Sequence, residues 1–332
     1  MPRSLSLLLC LSLLLSCARS DSLLADYTTR LARSLEVDKP PVAGGEAPVL
    51  PRLRELRQPL TESSINLLDF LALGSCELQG VIAERNSSLG RLATPTTRLV
   101  HELEFLNLAD DCVASLPEEE ADLIEELQAV IATKERELPI VIFNATLGGE
   151  EFRAFWRWRD RDIAIDSDAL DSLRALNSSV SNWMNGDYAV DREALTNQLN
   201  LIRRGPGGDY LQYWFDLNRY LAAADDVIEA RAKPLCYENM KTPQADIFNN
   251  VVMQFFIGGV QKEVAVLSRG SFDLLEEVEE LENLLDDAQP DNYEDWRVQR
   301  TMLVTDGSAA MGRHVKALEP LLTSCGFLPG TG

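Results

Sequence analysis

The opening residues MPRSLSLLLCLSLLLSC constrain this chain more than any other feature, because they decide in which compartment it folds. Arg3 supplies a short positive start, and Leu5 to Leu15 is an apolar run of the length a signal peptide uses. A transmembrane helix needs about 20 apolar residues, so the run engages the export machinery and is then removed. It ends Leu14-Leu15-Ser16-Cys17, which has the form of a lipobox: an apolar residue, a small residue next to the cut, then an obligatory cysteine. Residues 1–16 are therefore expected to be lost. Cys17 is expected to carry lipid on its thiol and palmitate or a similar acyl chain on its new amino group. Two or more chains anchor stably where one does not. Ala18, in place of an aspartate, points to the periplasmic side of the outer membrane. A competing reading of Ser16-Cys17-Ala18 as a small-x-small cleavage site would release a soluble periplasmic protein.

Export bears directly on the cysteines. Beyond Cys10 and Cys17 the chain holds Cys76, Cys112, Cys236 and Cys325. An even number in an oxidising compartment implies two disulfides with three connectivities available. Cys76–Cys112 and Cys236–Cys325 are expected, since each pair stays within one half of the chain. No CxxC spacing is present, so neither a thioredoxin-like redox motif nor a zinc knuckle is supported. The formal charge is −22, from 53 acidic and 31 basic residues, a field that repels nucleic-acid phosphates and makes nucleic acid an unfavourable partner. No later apolar run approaches membrane-spanning length. The richest, Val251 to Val260, is short and contains Gln254.

Apolar residues recur at helical spacing along most of the chain, which predicts an all-α fold: a multi-helix bundle of about nine helices. A short amphipathic helix is expected over 18–36, carried by Leu24, Tyr27, Leu31 and Leu35. A Pro- and Gly-rich strap over 37–52 follows, able to hold the body away from a membrane. Residues 61–332 are expected to form one large helical domain after a segment, 17–60, of anchor, helix and strap. Helices are predicted over 61–86, with Gly74-Ser75 as a kink, and over 95–116 and 117–137. Leu138 to Leu147 (LPIVIFNATL) is β-branched and bounded by proline and glycine, so it reads as the one short extended segment. Further helices are expected over 168–174 with a break near Asn177, 191–203, 210–232, 243–258, 260–287 and 291–323. The break between the two helices of 243–287 falls at Gly258-Gly259.

Candidate chemistry is sparse. His101 lies beside Glu102 and Glu104 and reads as a helix-surface residue; neither it nor His314 sits in a zinc-binding spacing. Ser308, at an expected helix interruption, pairs with His314 only if an orienting acid and an oxyanion site are added. Asp162, Asp166, Asp168 and Asp171 lack the glycine and glutamate of a calcium loop, and capping by Ser167 or Asp168 explains them better. Arg203-Arg204-Gly-Pro-Gly-Gly lacks the lysine and hydroxyl of a phosphate loop and reads as an interhelix connection. Trp156-Arg157-Trp158-Arg159 is the candidate ligand or partner surface, because alternating aromatic and basic side chains can stack on a sugar or grip a protein. Its alternative is tryptophans in the core with arginines pairing acidic neighbours. No catalytic residue, metal ligand set or cofactor motif emerges.

Several blocks together resemble the proteobacterial lipoprotein family known as domain of unknown function 3080. They are the lipobox, Leu50-Pro51-Arg52, Arg57-Gln58-Pro59-Leu60, Ile65-Asn66-Leu67-Leu68-Asp69-Phe70, Cys76-Glu77-Leu78, the run Ile82 to Gly90 (IAERNSSLG), Lys233-Pro234-Leu235-Cys236 and Cys325-Gly326-Phe327. The resemblance implies an envelope lipoprotein and carries no activity or catalytic residue across. The expectation is a membrane-anchored, non-catalytic interaction or structural protein facing the periplasm, touching the membrane through Cys17 and an envelope protein through its body. The alternative is a periplasmic glycan- or small-molecule-binding protein, or an enzyme acting on cell-wall material through Trp156, Trp158 and nearby aspartates.

Overall fold

A computed structural model describes residues 23–61, 70, 73–159, 163, 166–231, 233–237 and 240–327. The signal peptide and Cys17 lie outside the described residues, as do Asp162 and most of the first half of the helix expected over 61–86. The chain is all-α apart from one two-stranded antiparallel hairpin, β1 (Cys236–Tyr237) with β2 (Met240–Lys241). Its described helices are α1 (Leu23–Leu35), the single turn α2 (Leu53–Leu56), α3 (Leu78–Asn86), α4 (Pro95–Ser115), α5 (Ala121–Ala145), the short α6 (Glu150–Phe155), α7 (Ser167–Met184), α8 (Arg192–Ile202), α9 (Gly207–Glu229), α10 (Pro243–Val251), α11 (Lys262–Leu284) and α12 (Asp291–Ser324). Both expected disulfides are present, Cys76–Cys112 and Cys236–Cys325.

Helix starts were legible because short polar side chains cap orphan backbone N–H groups. Thr94 accepts from Thr97 N ahead of Pro95, Asp191 from Glu193 N and Ala194 N, and Thr242 from Ala245 N ahead of Pro243. The cap of α7 is Asp166, which accepts from Ala169 N, not Ser167 or Asp168. Asn177 does not break α7; its side-chain amide donates to Glu277 O at 2.9 Å.

Three expectations are corrected. Leu138 to Leu147 is not extended: α5 continues through Pro139 to Ala145. Leu138, Val141, Ile142, Phe143, Asn144 and Ala145 are all buried there, and a helix covered on every side shows no polar face to betray its period. Gly258-Gly259 is not a break. Val252–Gln261 is a π-helical stretch, and Pro243–Leu284 runs as one 42-residue helix. It is long and apolar enough to cross a membrane by length and composition, although 33% of its most apolar window is buried. Ser308 sits in no interruption either, because α12 passes unbroken through Gly307. A Cβ at Gly307 would lie 2.9 Å from Trp214 O, so glycine there serves close packing.

The chain forms two compact units, each assembled from separated stretches: 1–46, 213–266 and 303–332 in the first, 47–212 and 267–302 in the second. The first unit is organised around α1. Tyr27, Leu31 and Leu35 are buried against α10 and the π-helical stretch. The start of the strap is tied down in this unit, where Arg219 donates to Ala43 O at 3.0 Å, and the end of α1 is held by Arg231, which donates to Leu35 O at 2.7 Å. In the second unit Ala47 N donates to Gln212 Oε1 at 3.2 Å, and Trp296 Nε1 to Pro48 O at 3.3 Å. The strap is therefore not a free spacer. Its extended backbone spends its hydrogen bonds on helices. In the second unit α4 packs along α5, and α7 along α8.

Candidate functional site

A cleft in the second unit has a volume of about 670 Å³, within the range of small-molecule sites. One wall is the chain from α2 through Leu60, which is fixed to its surroundings. Arg52 N donates to the Glu55 carboxylate at 3.1 Å and Asn292 Nδ2 to Glu55 O at 3.0 Å. Gln58 and Asn144 bond reciprocally, Gln58 N to Asn144 Oδ1 and Asn144 Nδ2 to Gln58 O, both at 3.0 Å, as a strand neighbour would. Gln58 Nε2 donates to Ala288 O, and Thr61 is held by the Glu137 carboxylate. The opposite wall is Ala93, Pro95 and Arg98 at the start of α4, with Val141 and Asn144 of α5 below.

Arg54, Arg57 and Arg98 converge on this cleft, and no carboxylate lines it among the described residues. The other lining side chains, including Leu53, Pro59, Leu60 and Val141, are mostly apolar. In a chain of charge −22 this is a half-apolar recess with three arginines in its lining, of which Arg54 lies 3.8 Å from Glu55 and Arg98 3.7 Å from Glu102. Its chemistry suits an anion carrying a short apolar group: guanidinium forks match carboxylate and phosphate oxygens. The sequence did hold a signal for it, three arginines (Arg52, Arg54, Arg57) within six residues of an acidic chain, although Arg52 does not line the cleft.

Beside it, Glu102 is buried and is approached by Lys134, by Arg85 at 3.4 Å and by Arg98 at 3.7 Å. Lys134 also lies over the Phe105 ring, 4.7 Å from its centroid. His101 is not a surface residue: it is 2% exposed, with Nε2 3.2 Å from Glu84. Hydrogen bonds from His101 and Arg192 hold the Glu84 carboxyl below its usual range. These residues neutralise one another, which describes a structural charge network.

The proposed Trp156–Arg159 surface is largely taken up by the core. Trp156 is buried against Phe155 and Trp296, with ring centroids 4.6 and 5.0 Å away. The Arg300 guanidinium lies 5.3 Å from its ring and 5.1 Å from that of Trp296. Arg300 in turn pairs with Glu282 through two bonds of 2.6 and 2.8 Å, and Tyr293 donates to the same carboxylate at 2.7 Å. Arg159 is spent on carbonyls of Ala154, Arg203, Arg204 and Gly205. This fills the glycine-rich loop, so the loop is no anion cradle. A Cβ at Gly207 would strike the Phe155 ring, and one at Gly208 the Trp156 carbonyl. Only Arg157 and Trp158 of the four present exposed side chains.

In the first unit His314 is fully buried and pairs not with Ser308, which is exposed, but with Tyr27 and Asp225. Tyr27 Oη is 2.5 Å from His314 Nε2, and His314 Nδ1 is 2.6 Å from Asp225 Oδ1. With Asp225 ionised, Nδ1–H donates to the carboxylate and Nε2 accepts from the tyrosine. Burial, then the Asp225 charge, pushes the Tyr27 hydroxyl well above its ordinary pKa. Phe256 closes the group, 4.8 Å from the imidazole. Tyr27 and His314 are both sealed from solvent, so this Asp–His–Tyr chain fastens α1 to α9 and α12 and offers a substrate no access. No group of three or more His, Cys, Asp or Glu side chains able to hold a metal occurs among the described residues. Asp166 caps a helix and Asp171 lies 3.5 Å from Arg174.

Fold and site together define a disulfide-braced all-α protein whose recognisable chemistry is a basic, half-apolar cleft. The chain belongs to the family described as protein of unknown function (DUF3080), whose profile matches residues 24–329. Comparison with curated proteins and with solved structures returns no match.

Proposed function

We propose that this chain is a lipid-anchored envelope lipoprotein, tethered through Cys17 on the periplasmic side of the outer membrane, whose helical body acts by binding and performs no chemistry. The observation that carries the reading is Leu14-Leu15-Ser16-Cys17 directly after an apolar leader, and two disulfides, which persist in an oxidising compartment, support it. The test is the intact mass of the purified membrane form and of Cys17→Ser. A mature chain starting at Cys17 with added diacylglycerol and acyl mass, absent from the variant, supports the reading. A mature chain with unmodified Cys17 refutes it. The body's partner is sought by crosslinking in intact cells, with Arg157→Ala and Trp158→Ala as the surface variants, since Trp156 is buried.

A second reading, small-anion binding, is favoured by one specific observation: Arg54, Arg57 and Arg98 line the cleft of Leu53 to Leu60, and no carboxylate lines it among the described residues. Titration with hexyl phosphate, inorganic phosphate and hexanol separates its parts. Binding of hexyl phosphate above both fragments, abolished by Arg54→Ala with Arg57→Ala, supports it. Equal behaviour of variant and wild type removes it.

A further inference from the structure

The anchor expected at Cys17 and the fixed position of α1 together restrict which face of the first unit can meet a membrane. Six residue steps separate Cys17 from Leu23, which span at most about 20 Å even when fully extended. Leu23 is not at the end of a loose arm. It packs on the π-helical stretch so closely that a Cβ at Gly259 would lie 3.1 Å from its side chain. Four residues on, Tyr27 is locked to His314 and lies 5.4 Å from Phe256, and the Arg30 guanidinium stacks 4.1 Å over Phe255. A lipid on Cys17 therefore enters the bilayer within about 20 Å of Leu23, which packs at Gly259.

That neighbourhood has an unusual surface. The fifteen residues from Ile247 to Gln261 contain no charged side chain, in a chain where a quarter of residues are charged. Ile247 and Met253 are 51% exposed and Ile257 is 41% exposed, all on the helix against which Leu23 packs. The π-helical turn and its two glycines bring this about. Residues 252, 256 and 260 face inward, while Gly259 lets Leu23 of α1 approach without a side chain between. Asp246 and Lys262 bracket the uncharged stretch, which at fifteen residues falls short of the roughly 20 a spanning helix needs. The most apolar 18-residue window of Pro243–Leu284 takes in no more than two charged side chains, and 33% of it is buried.

We propose that the exposed face of residues 247–261, centred on Met253 and Ile257, rests in the headgroup boundary of the bilayer that holds the Cys17 lipid, as a second, shallow membrane contact. This rests on the lipoprotein reading above. The acidic remainder of the body is repelled by anionic headgroups, and the uncharged face is the one that approaches without that cost. The anchor supplies the local concentration, so a patch of a few apolar side chains suffices.

The test places a photocrosslinking benzoylphenylalanine at exposed Ile257 in the lipidated protein, reconstituted in vesicles of zwitterionic phospholipid. Intact mass first establishes that Cys17 carries lipid; its absence refutes the lipoprotein reading and is seen separately. With lipid confirmed, irradiation is expected to give phospholipid adducts at position 257, falling about tenfold or more in Cys17→Ser with the same vesicles as the tethering gain is lost. Adducts confined to protein, either a second copy or a partner, overturn the proposal, as does an absence of adducts. A Met253→Asp variant, folded by circular dichroism, is expected to lower the adduct yield; an unchanged yield also counts against a face buried in the headgroups.

Discussion

Replacing Arg300 by methionine tests the least sequence-legible part of the core. Arg300 and Glu282 are each 1% exposed and joined by two hydrogen bonds. Burial alone would lower the guanidinium's pKa, yet the hydrogen bond to Glu282 raises it above the ordinary value, so the pair is ionic. Removing the arginine strands a buried carboxylate whose remaining side-chain donor among the described residues is the Tyr293 hydroxyl. The variant must bury that charge or protonate it, and protonating an ordinary glutamate at pH 7 costs about 3.7 kcal/mol. That agrees with the roughly 3–5 kcal/mol seen when one partner of a buried pair is removed. For a unit of roughly 200 residues the melting temperature is expected to fall by about 6–20 °C. Urea unfolding followed by tryptophan fluorescence reports on this unit, because Trp156, Trp158, Trp183 and Trp296 lie in it and only Trp214 does not. The deficit should shrink towards about 1 kcal/mol at pH 5, where protonation is cheaper. The triple change Glu282→Leu, Tyr293→Phe, Arg300→Met removes every stranded polar group and should recover to within about 1–2 kcal/mol of wild type. A single variant within 1 kcal/mol of wild type, or a triple variant no better than the single, refutes the argument.

The glycines predict opposite signs: Gly208→Ala drives a methyl into the Trp156 carbonyl and should cost about 2–3 kcal/mol, whereas Gly312→Ala, in open space within α12, should stabilise by about 0.5–1 kcal/mol, both read from urea midpoints. Replacing the cysteine pairs by alanine should cost about 4 kcal/mol for the 36-residue separation of Cys76–Cys112 and about 4.5 kcal/mol for the 89-residue separation of Cys236–Cys325, measured the same way. Buried Tyr27 and Tyr293 both have hydroxyls pushed well above the ordinary value of 10, Tyr27 by burial and Asp225, Tyr293 by burial and Glu282. The unfolded chain therefore loses these protons first, and their stability contribution, full below pH 10, should drain at about 1.4 kcal/mol per pH unit per tyrosine above it. Alkaline unfolding curves of Tyr27→Phe and Tyr293→Phe should be flatter there.

The sequence by itself determined the helical class, most helix starts, the two disulfides and the absence of a recognisable catalytic motif. These depend on local rules: a 3.6-residue apolar period, Thr94, Asp191 and Thr242 placed to bond free N–H groups, and cysteines in an even number that pair within each half of the chain. Tertiary structure decided the rest, because burial is a property of what lies opposite. Leu138 to Leu147 carries no polar face to reveal its period, so only its neighbours make it a helix. Gly258-Gly259 reads as a break until Leu23 of α1 is seen to take the space at Gly259. Trp156 reads as a platform until Arg300, which lies 144 residues on, is found against it. His314 reads as a lone histidine until Tyr27 and Asp225 are brought to its two nitrogens from 287 and 89 residues away. The basic cleft was half visible, in Arg54 and Arg57. The place of Arg98 in its lining comes only from the packing of α4 and α5, since a local charge pattern does not say which charges will face one another.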